Sequence, residues 1–548
     1  MSFAVQNTLE FQRVLALPRR PQACPPELVD LLTSALRTET GTQTLFPIQA
    51  FALAEAHDNN GLFAPIPVGG GKTLISILAR TLMHSAKPVR CALNMTTSQL
   101  LPQLKADVQD AQQHWRFSAS EFRVISYDTL SQAKNSNYLD TLKPDLLILD
   151  EAHALADPTS ARTKRFLRYM RANPDTRLIA LSGTAMKKSL FDFWHLLKLA
   201  LPDGCPLPLR WNEVSDWDSV LGNNNRPDAI PRSPGALLKF CAPGEHPRDG
   251  YSRRLLETPG VVGASVAPVD SALVIRERPL ALPAEISSIL QTLRRDYVTP
   301  WGEELENADA LWRITRQLAS GFYYKWVWPG GRPDTEWLEA RREWHRDLRD
   351  ILRKSWPGMD SPMLVANAVR LGKLEVHSYW PWHAVQGRYH PSPPREAVWL
   401  SHHAVDDAAD WLDANPKGIC WYESTAFGAK LAARHNFPNY GPGAAASRAI
   451  RTERRAICAS IPAHSTGKNL QHYNASLLVF PPSSGKVFEQ LAGRQHRPGQ
   501  LSKTVTIDMY VPTQEIRDGL DRAKEQAETY QALYRSPQKI LTAQYTNA

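Results

Sequence analysis

Cysteine is scarce in this chain. There are six in 548 residues (Cys24, Cys91, Cys205, Cys241, Cys420 and Cys458), and no two stand in a CxxC spacing. That argues against a disulfide framework and a structural zinc, and for a reducing compartment. Long hydrophobic runs are missing too, and none comes near the ~18 apolar residues of a membrane span. The opening MSFAVQNTLEFQRVLALPRR has no early cationic segment followed by an apolar stretch, so it does not read as a secretory signal. Charge of one sign is also limited: 64 Lys and Arg against 55 Asp and Glu leave +9, a weak hint of a polyanionic partner. With 43% hydrophobic and 22% charged residues the composition is globular, which excludes a disordered chain or a coiled-coil rod. At roughly 150 residues per domain, the length predicts two to four domains.

Dividing the chain sharpens the charge. Residues 1–202 carry +5, residues 203–400 are neutral, and residues 401–548 carry +4. The motifs lie in the two charged flanks.

In the first flank, PIPVGGGKTLISILART (residues 65–81) follows the apolar lead Leu62, Phe63 and Ala64. Beyond Lys72 and Thr73, the residues Ile75, Leu78, Ala79 and Leu82 recur at helical spacing. A strand, a glycine turn and a helix start together make an anion cradle, because glycine lets backbone N–H groups wrap phosphates and the helix start adds positive potential. Gly69, Gly70 and Gly71 would form the wrap, Lys72 would reach the β- and γ-phosphates of ATP, and Thr73 would bind Mg²⁺. The longer phosphate-loop pattern asks for glycine at position 66, where this chain has Ile66.

DLLILDEAH (residues 145–153) reads as a buried strand closed by two carboxylates, as expected where a parallel strand ends at a ligand crevice. Asp150 would hold Mg²⁺ and Glu151 would orient or deprotonate the attacking water. A further apolar strand ends in Ser182, Gly183 and Thr184, whose hydroxyls would couple the crevice to the rest of the molecule. In the second flank KGICWY (417–422) and ASLLVF (475–480) read as strands, and Arg494 and Arg497 lie three apart, on neighbouring faces of one helical turn. Guanidinium forks suit charge building on a γ-phosphate, although a solvated basic helix start fits a lone RxxR as well.

Taken in order, GxGKT, DEAH and SGT, with LFPIQ (residues 45–49) ahead of them, resemble lobe one of a superfamily-two helicase-like ATPase. The stretch SGTAMKKSLFDFWHLLKLALP (182–202) resembles the Swi/Snf branch, as do Gln490, Arg494, His496, Arg497, Gly499 and Gln500, and the Gly467, Asn469 and Leu470 set. Leu491, Pro498 and Lys468 depart from that branch's pattern. The resemblance implies an α/β fold class: two RecA-like parallel-sheet lobes with a largely helical insertion between them and a C-terminal helix. It implies adenine recognition by Gln49, catalytic arginines at 494 and 497, and coupling roles for His153, Ser182, Thr184, Gly467, Asn469 and Gln490. It places nucleic-acid contacts at Thr96, Thr97, Ser126 and Tyr127. Arg162, Lys164, Arg165, Arg168 and Arg171 form a basic run without an acid, with Arg162, Arg165 and Arg168 on one helix face. That face suits either phosphates or plain solvation.

The expected organisation is an N-terminal helical segment (1–41), lobe one (42–202), a helical insertion and linker (203–400), lobe two (401–512), and a C-terminal brace helix and tail (513–548). Ten of the sixteen tryptophans fall between residues 301 and 399, read as the core of the insertion in preference to a base-stacking platform. Trp337, Leu338, Arg341, Trp344, Leu348, Ile351 and Leu352 fit one amphipathic helix there. The expected activity is an ATP- and Mg²⁺-dependent motor tracking on double-stranded DNA without sequence preference. The alternatives are a strand-separating DNA or RNA helicase, and a nucleotide-gated scaffold with weak hydrolysis. No membrane partner is expected, a protein partner would use the 203–400 segment, and the setting is the cytoplasm of a bacterial or phage-infected cell.

Overall fold

The computed structural model describes residues 4–67, 69–183, 189–222, 232–263, 269–299, 305, 307–354, 359–390 and 392–547. Five short strands make the first sheet: Leu62–Ala64 (β1), Ala92–Thr96 (β2), Arg123–Ser126 (β3), Leu146–Asp150 (β4) and Arg177–Leu181 (β5). Their order is β1-β5-β4-β2-β3, and every pairing is parallel. Strands β2, β4 and β5 are buried along their whole length, which is why they read as unbroken apolar runs: helices cover both faces of a parallel sheet. Parallel pairing also forces each strand to exit at the same edge. The ends of β1, β2, β4 and β5 therefore bring the phosphate loop, Thr96, Asp150 and Ser182 to one crevice.

The second sheet has seven strands. After Ala272–Arg278 (β6) and the two-stranded antiparallel ribbon Phe322–Trp326 (β7) with Arg395–Trp399 (β8) come Gly418–Tyr422 (β9), Asn439–Tyr440 (β10), Ile457–Ser460 (β11), Ala475–Leu478 (β12), Thr504–Tyr510 (β13) and Gln544–Asn547 (β14). The sheet order is β10-β11-β9-β12-β13-β6-β14, again with parallel pairings. The chain is thus a mixed α/β protein with two parallel-sheet lobes.

Packing draws different borders from those read in the sequence. Cys205, Leu207, Val214, Trp217, Phe240, Tyr251 and Leu255 share one apolar cluster with Phe63, Leu147 and Leu149 of the first sheet. The start of the 203–400 segment is therefore part of the first lobe's core. Its strand β6 belongs to the second sheet, and the C-terminal tail adds β14 beside it. What remains as a helical body has its own cores. Trp337 is fully buried and meets Trp326, Trp328, Trp382 and Tyr389 edge-on, while Trp344 packs on Tyr379. These rings face each other, as core aromatics do, instead of offering free faces to bases. The amphipathic helix read from the sequence runs over Thr335–Arg353.

The C-terminal helix Gln514–Tyr534 enters both lobes. Leu520, Ala523 and Ala527 lie in the second lobe's core with Phe488 and Leu491, whereas Tyr530, Leu533 and Tyr534 lie in the first lobe's core with Phe193. Burial of such side chains is worth about 1.5–3 kcal/mol each for the large ones, so this helix is a strong apolar tie. Among the described residues no helix is long and apolar enough to cross a membrane.

Candidate nucleotide site

The phosphate loop is shaped by its glycines. Gly69 and Gly71 sit at φ 93° and 74°, in the left-handed region that side chains resist. Gly71 caps the helix Lys72–Ala86, whose first-turn amides have no intrahelical acceptors. Lys72 is buried and donates through Nζ to the carbonyls of Ile66 (2.9 Å) and Pro67 (3.1 Å). Behind the loop, Gln49 accepts from the Phe46 amide at 2.8 Å and donates Nε2 to the Gly71 carbonyl at 3.2 Å. Both ends of its amide are thus engaged within the protein, and Gln49 buttresses the loop. Reading an adenine edge would require it to exchange one of these bonds.

A Cβ at Gly71 would meet Gln49 Nε2 at 2.1 Å. Gly71→Ala combines that clash with a left-handed backbone costing roughly 1–2 kcal/mol, so nucleotide affinity should fall at least ~5–30-fold. Titration with a fluorescent ATP analogue checks this; unchanged affinity would mean the loop does not hold nucleotide.

Asp150 and Glu151 close β4. Asp150 is buried, accepts from Thr96 Oγ1 at 3.3 Å, and its backbone carbonyl accepts from the Tyr127 hydroxyl at 2.8 Å. Burial, and next the charge of Glu151, push its carboxyl above the usual carboxylate range, while Lys72 and Thr96 oppose the shift. Burial alone would raise Glu151 as well, but the hydrogen bond from His153 and the charges of Lys72 and Lys486 hold it below its ordinary value. His153 Nδ1 lies 3.2 Å from Glu151 Oε2 and 3.0 Å from Ser182 Oγ. Glu151 itself is a non-glycine residue at φ 56°, a strained conformation of the kind found at functional sites. Thr184 lies outside the described residues.

The second lobe contributes from the helix Gly485–Gln495. Arg494 is buried, donating Nε to the Gln490 carbonyl and Nη1 to the Lys468 carbonyl, each at 2.9 Å. Burial, then Arg497, push its guanidinium down to about 10, against the pull of Glu151 in the first lobe. Arg497 does not share the helical turn expected from the sequence. The helix stops at Gln495, because the residue before Pro498 is driven out of the α region and Gly499 turns at φ 88°. Among the described residues the Arg497 guanidinium has no hydrogen-bond or ion-pair partner, and burial lowers its pKa. Gln490 is buried in the helix, and Asn469 is exposed, its Oδ1 accepting from the Gln471 amide at 3.4 Å. Gly467, at φ 71°, faces Leu100 of the first lobe. Beside it Gln99 donates to the Pro462 carbonyl (2.7 Å) and accepts from Thr466 Oγ1 (2.6 Å).

The residues expected to touch nucleic acid fare differently. Thr96 is fully buried with its hydroxyl on Asp150, and Tyr127 is buried with its hydroxyl on the Asp150 carbonyl, so both serve the carboxylate strand instead. Ser126 is buried beside Thr129, 3.2 Å away. Thr97 encloses its hydroxyl. Arg165 is 1% exposed and fully engaged: with Asp360, and with the carbonyls of Leu130 and Gln132. Arg162 faces Asp128 at 3.6 Å and Arg168 faces Asp140 at 2.9 Å. The basic helix face is thus largely neutralised by acids from other segments.

Sequence reasoning missed Thr96 as a partner of Asp150 and Lys486 in the field of Glu151, and it marks Lys468 only as a departure from the resembled pattern. That lysine stands where the resembled pattern has leucine, and it is buried like one; burial, Arg451 and Arg494 bring its ammonium down to about 8.

The donor set fits a nucleoside triphosphate and a divalent cation: a glycine cradle, a buried lysine hydrogen-bonded to carbonyls, two strand-end carboxylates and arginines from a second lobe. No curated protein matches the chain. Residues 59–230, from just before β1 through the last strand of the first sheet and beyond, match the family model of the SNF2-related domain. Residues 59–230 therefore match an SNF2-related domain, and that match supports a Swi/Snf-like, superfamily-two helicase-like ATPase.

Proposed function

We propose that this protein is a nucleic-acid-stimulated ATPase motor that tracks along double-stranded DNA, hydrolysing ATP between its two lobes. The observation that carries the reading is the composite field around Glu151. The carboxylate belongs to the first lobe, yet Lys486 of the second lobe acts on it, and it acts in turn on Arg494. A site built from two lobes responds to their closure, which is the element a track would bias.

In this reading the glycine loop and Lys72 bind the phosphates. Thr73 and Asp150 would hold Mg²⁺, which when bound neutralises phosphate charge. Glu151, kept ionised by His153 and Lys72, takes a proton from the attacking water. Lys72 and the two arginines stabilise the charge developing on the transferred phosphoryl group. His153 and Ser182 hold Glu151 in register with the β5 end. Duplex DNA is the favoured track because SNF2-family members act on nucleic acid, usually DNA.

The test is ATP turnover against matched duplex DNA, single-stranded DNA and RNA at two salt concentrations. Duplex DNA should stimulate most, and the stimulation should weaken with salt as phosphate contacts release counterions. Equal turnover with and without duplexes over a range of lengths would overturn the motor reading in favour of a nucleotide-gated scaffold. Stimulation by single strands or RNA, with strand displacement, would make the protein an unwinding helicase.

A further inference from the structure

The helical body between β6 and β9 belongs to one lobe by its apolar contacts and touches the other by polar ones. Its root is the β7–β8 ribbon. Ala319 and Phe322 lie in one core cluster with Ala404, Trp411 and Tyr422 of the second lobe. The Tyr324 hydroxyl is 2.9 Å from Ser424 Oγ, and Arg316 pairs with Glu423 at 3.0 Å and donates to the Pro481 carbonyl. Beyond this root the body is self-contained. Its three apolar clusters, around Trp344, Ile286 and Trp337, draw on residues 282–400 and include no residue of the first lobe among those described.

Its far end nevertheless rests on the first lobe. Asp360 receives a two-pronged ion pair from Arg165, Nε to Oδ2 at 2.8 Å and Nη2 to Oδ1 at 2.6 Å. The pair is enclosed, with side-chain exposures of 1% and 10%. Arg165 is fixed from behind by the carbonyls of Leu130 and Gln132, and the neighbouring Lys164 donates to the Leu352 carbonyl at the end of the long tryptophan helix. An apolar weld at one end and a directional polar contact at the other have different physical characters. Apolar contact is non-directional and survives small slides, whereas a bidentate arginine–carboxylate pair holds one geometry and is lost when its two groups are displaced.

We infer that the insertion is a strap carried by lobe two and latched on lobe one by the Asp360–Arg165 pair, and that the latch releases when the lobes move apart. The link from strap to hydrolysis rests on the function proposed above; the strap itself does not. It also accounts for the basic run in the sequence: Arg165 is a keeper for the latch, and phosphate is not its partner.

The test measures the distance between strap and lobe directly. Spin labels are placed through Arg171→Cys and Arg342→Cys, both at exposed helix positions, in a full-length chain whose partly exposed Cys24, Cys91 and Cys241 are serines. With the latch intact, the distance distribution should be single and narrow. Asp360→Ala should add a longer, broader population, and Asp360→Asn a smaller one. The near-ultraviolet spectrum of the tryptophan cluster confirms that each variant is folded, and the isosteric Asp360→Asn decides the matter if Asp360→Ala is not. Identical distributions in intact, Asp360→Asn and Asp360→Ala chains would overturn the strap. ATP turnover of the same variants is read separately: a shifted distance with no turnover in any chain, latch intact included, would leave the strap standing and sink the ATPase reading.

Discussion

Glu151→Gln should lower ATP turnover by ~10²–10⁴-fold, the usual worth of a positioned general base, while ATP binding stays near normal. The substitution keeps the size and one hydrogen-bond acceptor of the side chain, so His153 can still hold it, but removes the proton acceptor. The structure makes the carboxylate the right group to lose. Burial would favour its neutral form, yet His153, Lys72 and Lys486 keep it ionised, whereas the adjacent Asp150 is pushed the other way. Two neighbouring carboxylates driven apart in this manner take different roles. The backbone supports the assignment, since a glutamate at φ 56° is held there by its surroundings against its own preference. Single-turnover hydrolysis, measured beside equilibrium ATP binding, separates the two effects. A variant that kept more than about a tenth of wild-type turnover would fall outside the range of a lost base, and the water would have to be activated elsewhere.

How much of this was legible beforehand depended on how local each feature is. The phosphate loop and the carboxylate strand are written in consecutive residues, because a tight glycine turn and a buried parallel strand leave little freedom in composition. The two-lobe α/β architecture followed from such strands in order. Facing was not legible. Thr96 ends a strand whose neighbour in the sheet is β4, and that adjacency, set by the order β1-β5-β4-β2-β3, turns its hydroxyl onto Asp150. Arg162, Arg165 and Arg168 do share a helix face, but their acids come from Asp128, Asp360 and Asp140, up to 195 residues away. A charge run read along the chain cannot show partners supplied by the fold. Strand β6 was hidden for a related reason. Its ALVIRER sequence buries Leu273 and Ile275 and leaves the other positions half-buried, and its arginines are paired, Arg276 with Asp508 of the neighbouring β13 and Arg278 with Asp407 of the helix His403–Ala414.

Arg497→Ala should cost about 10³-fold or more in turnover, the range observed when a transition-state arginine is removed, with little loss of stability. Arg494→Ala should also abolish turnover, but for mixed reasons. Arg494 is buried and its guanidinium holds the Lys468 carbonyl as well as the Gln490 carbonyl of its own helix, so truncation removes the donor to Lys468 and loosens the loop that contacts Gln99. Arg497 has no such internal duty. Its backbone is set by the helix end at Gln495, by Pro498, and by the Gln500 amide donating to its carbonyl at 3.1 Å, while its guanidinium has no partner among the described residues. Burying part of an unpaired cation is unfavourable unless an anion arrives, and in the proposed function that anion is a phosphate. Arg497→Lys separates charge from geometry: a lysine keeps the charge without the planar fork, so most of the loss should persist. Thermal unfolding and turnover measured together on the three variants give the discriminating pattern, with stability falling in Arg494→Ala alone and turnover collapsing in all three. Near-normal turnover in Arg497→Ala would place the second lobe's contribution on Arg494 or Lys486 instead.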